Sequence, residues 1–225
     1  LLLVDHKWRD LPGLVAVKVC LENFGVDAFV VARRCFDTSL AAINPHIVVL
    51  NSINGNLQRS LAQAAKRAGA LVVVLPTEGR PQDNDLMQYI TGQLSDPSPV
   101  DLWLNWSETV SQVMVGRGII PATQARVTGA PRFDFYVHPL RSLLTSRERL
   151  LQSYQLNPML PSVSWATNFI LARHIRTGTE RFLVRDFQNL GVAKLQTFSD
   201  PIALARKDLE VRLRTLEVIY RMCCR

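Results

Sequence analysis

The sequence predicts an α/β protein built on a doubly wound, mostly parallel sheet. Short apolar runs such as Ile47–Leu50 (IVVL) and Leu71–Leu75 (LVVVL) are continuous and rich in β-branched residues, as strands buried on both faces are. Segments with apolar residues at helical spacing separate these runs, and that alternation argues for parallel strands joined by right-handed crossovers. A polar loop follows each run, so the loops share one edge of the sheet, the edge where open α/β sheets collect ligands.

Taken in order, Leu1–Val4 reads as the first strand, Asp5–Asp10 as a polar loop, and Leu11–Phe24 as a helix ended by Gly25. Val26–Ala32 is the second strand, Asp37–Ile43 a short helix and His46–Leu50 the third strand. Asn51–Asn56 is the next polar loop, Leu57–Ala68 a helix closed by Gly69, and Ala70–Leu75 the fourth strand. Thr77–Arg80 forms a loop and Asp83–Leu94 a helix before the fifth strand, Val100–Asn105. Ser107 is an N-cap with Glu108 in the first turn, opening a helix that runs to Gly116 or Gly118. The sixth strand is Ala125–Thr128, and Pro131 prevents an immediate helix after it.

From Pro139 a basic amphipathic helix is expected to run to about Leu156, with a Pro-punctuated break over Asn157–Pro161. This divides the chain into residues 1–157 and 158–225. In the second part Pro161–Ala166 has the character of a first strand. Asp200 and Pro201 open a basic amphipathic helix with Ile202, Leu209, Leu213, Leu216 and Tyr220 on one face, which either packs or coils against other helices or lies on membrane lipids. That remainder is short for another doubly wound domain, so a truncated or divergent second domain is expected.

The 225 residues, 48% of them hydrophobic, are enough to bury a sizeable core. The net charge of +7 and pI near 9.6 favour anionic partners. From Ile170 onward eleven Lys and Arg face six Asp and Glu, so most of the surplus lies in the tail. A nearly neutral body without RNP-like, zinc-finger or helix-turn-helix signatures argues against nucleic acid. Cys20, Cys35, Cys223 and Cys224 form no spaced framework and His6, His46, His138 and His174 are scattered. Reduced thiols in a cytoplasm and no metal site are the expectation. No apolar run is long enough to cross a bilayer, so contact with a membrane would be peripheral, at its anionic inner face. The absence of GxGxxG after the first strand, of GxxxxGK[ST] and of GxSxG disfavours nicotinamide enzymes, P-loop NTPases and serine hydrolases.

Chemistry is therefore sought in the loops. The first gathers Asp5, His6, Lys7, Arg9 and Asp10: a carboxylate beside an imidazole supplies a general base, while Lys7, Arg9 and a helix N-terminus hold an anion. The competing reading is a set of surface ion pairs around Trp8. In the second loop, Asn54 and Gly55 let backbone N–H groups approach a ligand. Thr77, Glu78 and Gly79 place a carboxylate at a strand end, where it takes a substrate hydroxyl or caps a helix or pairs with Arg80. Trp106 stacks on a ligand ring or packs beneath its helix. Gly129, Arg132 and Asp134 complete the edge, with Asp134 orienting Arg132.

VDHKWRDLPG at 4–13, VVLNSING at 48–55, VVVLPTEG at 72–79 and VTGAPRFD at 127–134 together resemble the bacterial and archaeal surface carbohydrate biosynthesis proteins. These look like GT-B-type glycosyltransferases, and the TGxPRFD element is also similar to one in CDP-glycerol glycerophosphotransferases. The resemblance covers roughly residues 1–174. It implies a Rossmann-like, GT-B N-terminal, acceptor-side domain that transfers a sugar or phosphorylated polyol from a nucleotide-activated donor to a glycan acceptor. It further implies Asp5, Asp10 or Glu78 as base and Lys7, Arg9 and Arg132 on anionic groups, with no cofactor beyond the nucleotide-sugar donor. A GT-B-fold sugar-nucleotide epimerase and a non-catalytic glycan- or partner-binding module are the alternatives.

Overall fold

In the computed structural model six strands form one sheet: β1 (Leu2–Val4), β2 (Val30–Ala32), β3 (Ile47–Leu50), β4 (Leu71–Val74), β5 (Leu102–Asn105) and β6 (Ala125–Val127). Their order is β2-β1-β3-β4-β5-β6 and every pairing is parallel. The structure describes residues 1–53, 55–77, 99–162, 164, 171–190 and 199–223. They divide into two compact units, Leu1–Pro158 and Met159–Arg225. In the first, helices α1 (Lys7–Asn23), α2 (Phe36–Ile43), α3 (Gly55–Arg67) and α4 (Glu108–Gly116) accompany the sheet, and α5 (Arg147–Ser153) follows it.

Successive strand residues point to opposite faces, and each face has its own core. Leu1, Leu3, Val48, Leu50, Val72, Val74 and Trp103 join Phe36 of α2, Leu61, Ala62 and Ala65 of α3 and Met114 of α4. On the other face Leu2, Val4 and Leu75 meet Leu14 of α1, with Leu11, Val17 and Leu21 packed around them. The α/β, parallel, Rossmann-like expectation is thus met.

Local capping moves several element ends. The predicted loop Asp5–Asp10 is shorter than expected, because α1 already begins at Lys7 with His6 as its N-cap. Asp10, inside the first turn, accepts the His6 and Asp5 backbone N–H groups and so does the capping that His6 does not. Val26 belongs to the end of α1 rather than to β2. Its N–H donates to Leu21 O and that of Gly25 to Glu22 O, a Schellman closure with Gly25 at φ +76°. The same pair of bonds, Gly118 N–H to Val115 O and Ile119 N–H to Met114 O, ends α4 past Gly116.

The single helix expected from Pro139 to Leu156 is instead a 3₁₀ turn over Leu140–Leu143 and the separate α5. Ser146 accepts a hydrogen bond from Arg149 N–H and starts α5 afresh. Leu143, Leu150 and Tyr154, which one amphipathic helix would have packed, are exposed. The expected helix over Asp83–Leu94 lies outside the described residues, as do three of the six residues of the expected strand Pro161–Ala166; the other three, 161, 162 and 164, are not in a strand.

In the second unit α6 (Ala172–Thr177), α7 (Glu180–Leu190) and α8 (Pro201–Cys223) are described. Asp200 Oδ1 caps α8 by accepting Ile202 and Ala203 N–H at 3.0 and 2.9 Å. Asp208 of α8 accepts the Ala172 N–H at 2.9 Å and ties the two helices together. Of the expected apolar stripe on α8, Ile202 and Leu209 are partly buried, whereas Leu213, Leu216 and Tyr220 are exposed, so its packing is confined to the first turns. Among the described residues no helix is long and apolar enough to cross a membrane.

Candidate functional site

The strand order reverses between β1 and β3, and the crevice at their carboxyl ends is the switch point at which such sheets bind ligands. Asp10 stands there with 1% of its surface exposed. Its Oδ2 accepts His6 N–H at 2.8 Å, Asp5 N–H at 3.1 Å and Asn51 Nδ2 at 3.4 Å, while Arg9 Nε donates to Oδ1 at 2.6 Å. Burial alone would raise the pKa of Asp10; the Arg9 hydrogen bond, then the His6 N–H and the Thr77 hydroxyl, outweigh it and hold the carboxyl below its ordinary value. A carboxylate so low and so fully occupied is a weak proton acceptor.

Asp5 shares this network. Arg9 Nη2 reaches its Oδ2 at 3.4 Å and Arg33, just past β2, pairs with its Oδ1. Asp5, Arg9, Asp10, Arg33 and Asn51 therefore link the ends of β1, β2 and β3 with alternating charge. His6 and Lys7 are exposed outside it, and the Lys7 ammonium lies 4.9 Å from the Trp8 ring centroid, with Trp8 itself 80% exposed.

The turn after β6 folds onto α1. Pro131–Tyr136 is a 3₁₀ helix with Pro131 at its start, so the proline opens a helical segment rather than preventing one, its missing N–H costing nothing in a first turn. Ahead of it Gly129, at φ +77°, and Thr128 both donate their N–H groups to Asn105 O, at 3.2 and 3.0 Å. Gly13 of α1 meets this turn closely: a Cβ there would come within 3.1 Å of the Arg132 main-chain nitrogen. Arg9, Asp10, Thr77 and Arg132 line one small cleft with Leu14, Leu75 and Pro131. Thr77 is 7% exposed, and its Oγ1, near enough to Asp10 to help lower its pKa, completes no hydrogen bond of regular geometry among the described residues.

Beside the cleft is an aromatic cluster. Trp106 Nε1 donates to Pro76 O, which fixes the indole against the end of β4. Phe133 packs edge-on to it, with centroids 5.2 Å apart. The Arg132 guanidinium lies 5.4 Å from the Trp106 centroid and 4.9 Å from that of Phe133. The expected pairing of Asp134 with Arg132 is not formed: among the described residues Arg132 has no carboxylate partner, and Asp134 is exposed. The two rings take the place of the carboxylate in orienting the guanidinium.

The structure thus brings Asp5, Arg9 and Asp10 into one network and Arg9, Asp10, Thr77 and Arg132 around one cleft, with Gly129 shaping the turn. Gly55 opens α3. Asn54, Glu78 and Gly79 lie outside the described residues. Among the described residues no group of His, Cys, Asp and Glu is placed to hold a metal ion.

Arg33 is the site residue that the motif reading passed over, and Asn51 and Asn105, each at a strand end, were not singled out from their loops. Two had a visible signal: Asn51 directly follows the apolar run of β3 and Asn105 closes that of β5. The Asn105 side chain is fully buried and has no hydrogen-bond partner among the described residues, an arrangement that costs about 1–3 kcal/mol. Comparison with family models, with curated proteins and with solved structures finds no match for this chain. The resemblance to surface carbohydrate biosynthesis proteins therefore stands on its sequence motifs alone.

Proposed function

We propose that this chain is a glycosyltransferase-like protein of cell-surface polysaccharide biosynthesis, its first unit being the acceptor-side, GT-B N-terminal domain. The observation that carries the reading is that VDHKWRDLPG and TGAPRFD, the motifs of the resemblance, meet physically. Gly13 of the first touches Arg132 of the second, and Arg9, Asp10, Thr77 and Arg132 surround one cleft near the sheet switch point. Motifs more than a hundred residues apart that converge at the ligand edge of such a sheet support a shared binding role.

In the proposed reaction an acceptor hydroxyl gives its proton to a carboxylate base as its oxygen attacks the donor's activated carbon. The bond to the nucleotide's phosphate breaks, and the departing anion takes the electron pair. For a phosphorylated polyol donor the attack is on phosphorus, and the nucleoside monophosphate leaves. Asp10 holds the β1 end together, which leaves Asp5 and Glu78 for the base; Arg132 receives an anionic group. The protein acts in the cytoplasm, at the inner face of the membrane where lipid-linked glycans are presented.

A second reading, the non-catalytic glycan-binding module, is favoured by one observation: both Asp5 and Asp10 are already ion-paired. Incubating the protein with a panel of nucleotide-sugars and CDP-glycerol in the presence of membrane glycans, and measuring nucleotide release, separates the two. Acceptor-dependent release supports transfer. Glycan binding without release from any donor supports the module.

A further inference from the structure

Of the two rings that hold Arg132, Trp106 is partly buried, whereas Phe133 opens outward beside Tyr136. Phe133 is 44% and Tyr136 65% exposed, and their centroids are 6.2 Å apart with planes inclined at 38°. They form a shallow ledge one turn beyond β6, at the ligand edge of the sheet. Arg132 is partly buried and lies over the Phe133 face. Among the described residues nothing neutralises its charge.

Two chemistries are therefore offered side by side. Aromatic faces present flat apolar surface to the C–H faces of a pyranose ring. A guanidinium fork pairs with a planar carboxylate or with phosphate through two parallel hydrogen bonds. Stacking on Trp106 and Phe133 orders the fork in advance, so little side-chain freedom remains to be lost on binding.

We propose that the Arg132–Phe133–Tyr136 ledge binds an acidic saccharide, one whose ring stacks on the aromatic faces while a carboxylate or phosphate on it pairs with Arg132. The choice of a saccharide rests on the glycosyltransferase-like reading; the requirement for negative charge rests on a guanidinium that has no carboxylate partner among the described residues. A neutral glycan uses only half of the ledge.

Calorimetric titration with three soluble probes tests this: a tetrasaccharide of alternating glucuronate and N-acetylglucosamine, glucose 1-phosphate, and neutral cellotetraose. At least one acidic probe is expected to bind about ten-fold or more tighter than cellotetraose, and which one it is separates carboxylate from phosphate. Arg132→Gln should bring the acidic probe down to the neutral level, Arg132→Lys should fall between, and Tyr136→Ala should weaken acidic and neutral probes alike. Circular dichroism checks that each variant is folded, and Tyr136 is exposed enough for its replacement to spare the core.

Equal affinity for acidic and neutral probes, acidic binding undiminished in Arg132→Gln, or no binding of any probe overturns the proposal. The two readings fail separately. Arg132-dependent acidic binding without transfer from any nucleotide-activated donor removes the transferase reading and leaves the ledge. Transfer that is indifferent to acceptor charge and to Arg132→Gln removes the ledge and leaves the transferase.

Discussion

Gly13 faces the main chain of Arg132 with room for little more than its hydrogens: a Cβ on Gly13 would lie 3.1 Å from the Arg132 amide nitrogen and 3.4 Å from Pro131 Cβ. The neighbour is main chain, so it cannot rotate away. In an open helix Gly→Ala gains about 1 kcal/mol, whereas forcing a methyl into a packed contact costs about 1–3 kcal/mol. Gly13→Ala is therefore expected to lower stability by about 1 kcal/mol, read as a lower urea midpoint, with Gly13→Val falling further. A rise in the midpoint for Gly13→Ala would show the contact to be slack.

Asp10 is a second test, of stability and its pH dependence. Asp10→Asn leaves Arg9 without its closest carboxylate and faces an amide toward backbone donors; the expected loss is about 3 kcal/mol at neutral pH. The folded pKa is depressed, so the carboxylate's contribution is complete above the unfolded value, near 3.8. It is lost as pH falls through the lower folded value. Urea midpoints from pH 7 downward should show wild type and Asp10→Asn far apart at neutral pH and converging in acid. Parallel curves across the range would mean that Asp10 is not the group responsible.

Asp5 differs from Asp10 in being partly solvated, with side-chain exposure of 19%. Its pairs with Arg9 and Arg33 are expected to be worth about 1 kcal/mol or less. Asp5→Asn should therefore fold normally, and Glu78→Gln is compared with it after circular dichroism has checked its fold. If either residue is the base for transfer, its replacement slows turnover by about 10²–10⁴-fold. Wild-type nucleotide release in both variants would strip Asp5 and Glu78 of the role assigned to them.

Gly25 closes α1 with a left-handed backbone that a Cβ disfavours by about 1–2 kcal/mol. Gly25→Ala should lower the melting temperature by a few degrees without changing ligand binding, because the position is remote from the cleft lining. A change in saccharide affinity would point to coupling between the end of α1 and the ledge.

Strand positions, their parallel direction and the polar loops at their carboxyl ends were legible in the residues, since apolar runs such as IVVL and the spacing of intervening helices are local patterns that burial imposes directly. Element ends were less so. The Ser146 cap that splits the helix expected after Pro139, and the Schellman closure that draws Val26 out of β2, depend on competition between nearby backbone partners. The Arg–Asp pair expected at Arg132 and Asp134 failed because neighbours in sequence on a 3₁₀ turn need not face each other, and Trp106 and Phe133 offered the guanidinium a flatter surface.

What the amino-acid order determined by itself is the α/β architecture and the set of polar residues delivered to one edge of the sheet. Only the tertiary structure decided their roles. It made Asp10 a buried clasp for the β1 end through Asn51, forty-one positions away, and set Arg132 on two rings, one of them from another strand end. Apolar periodicity is written within a few residues, but the charge state and orientation of a polar group depend on whichever distant neighbours the packed sheet brings against it.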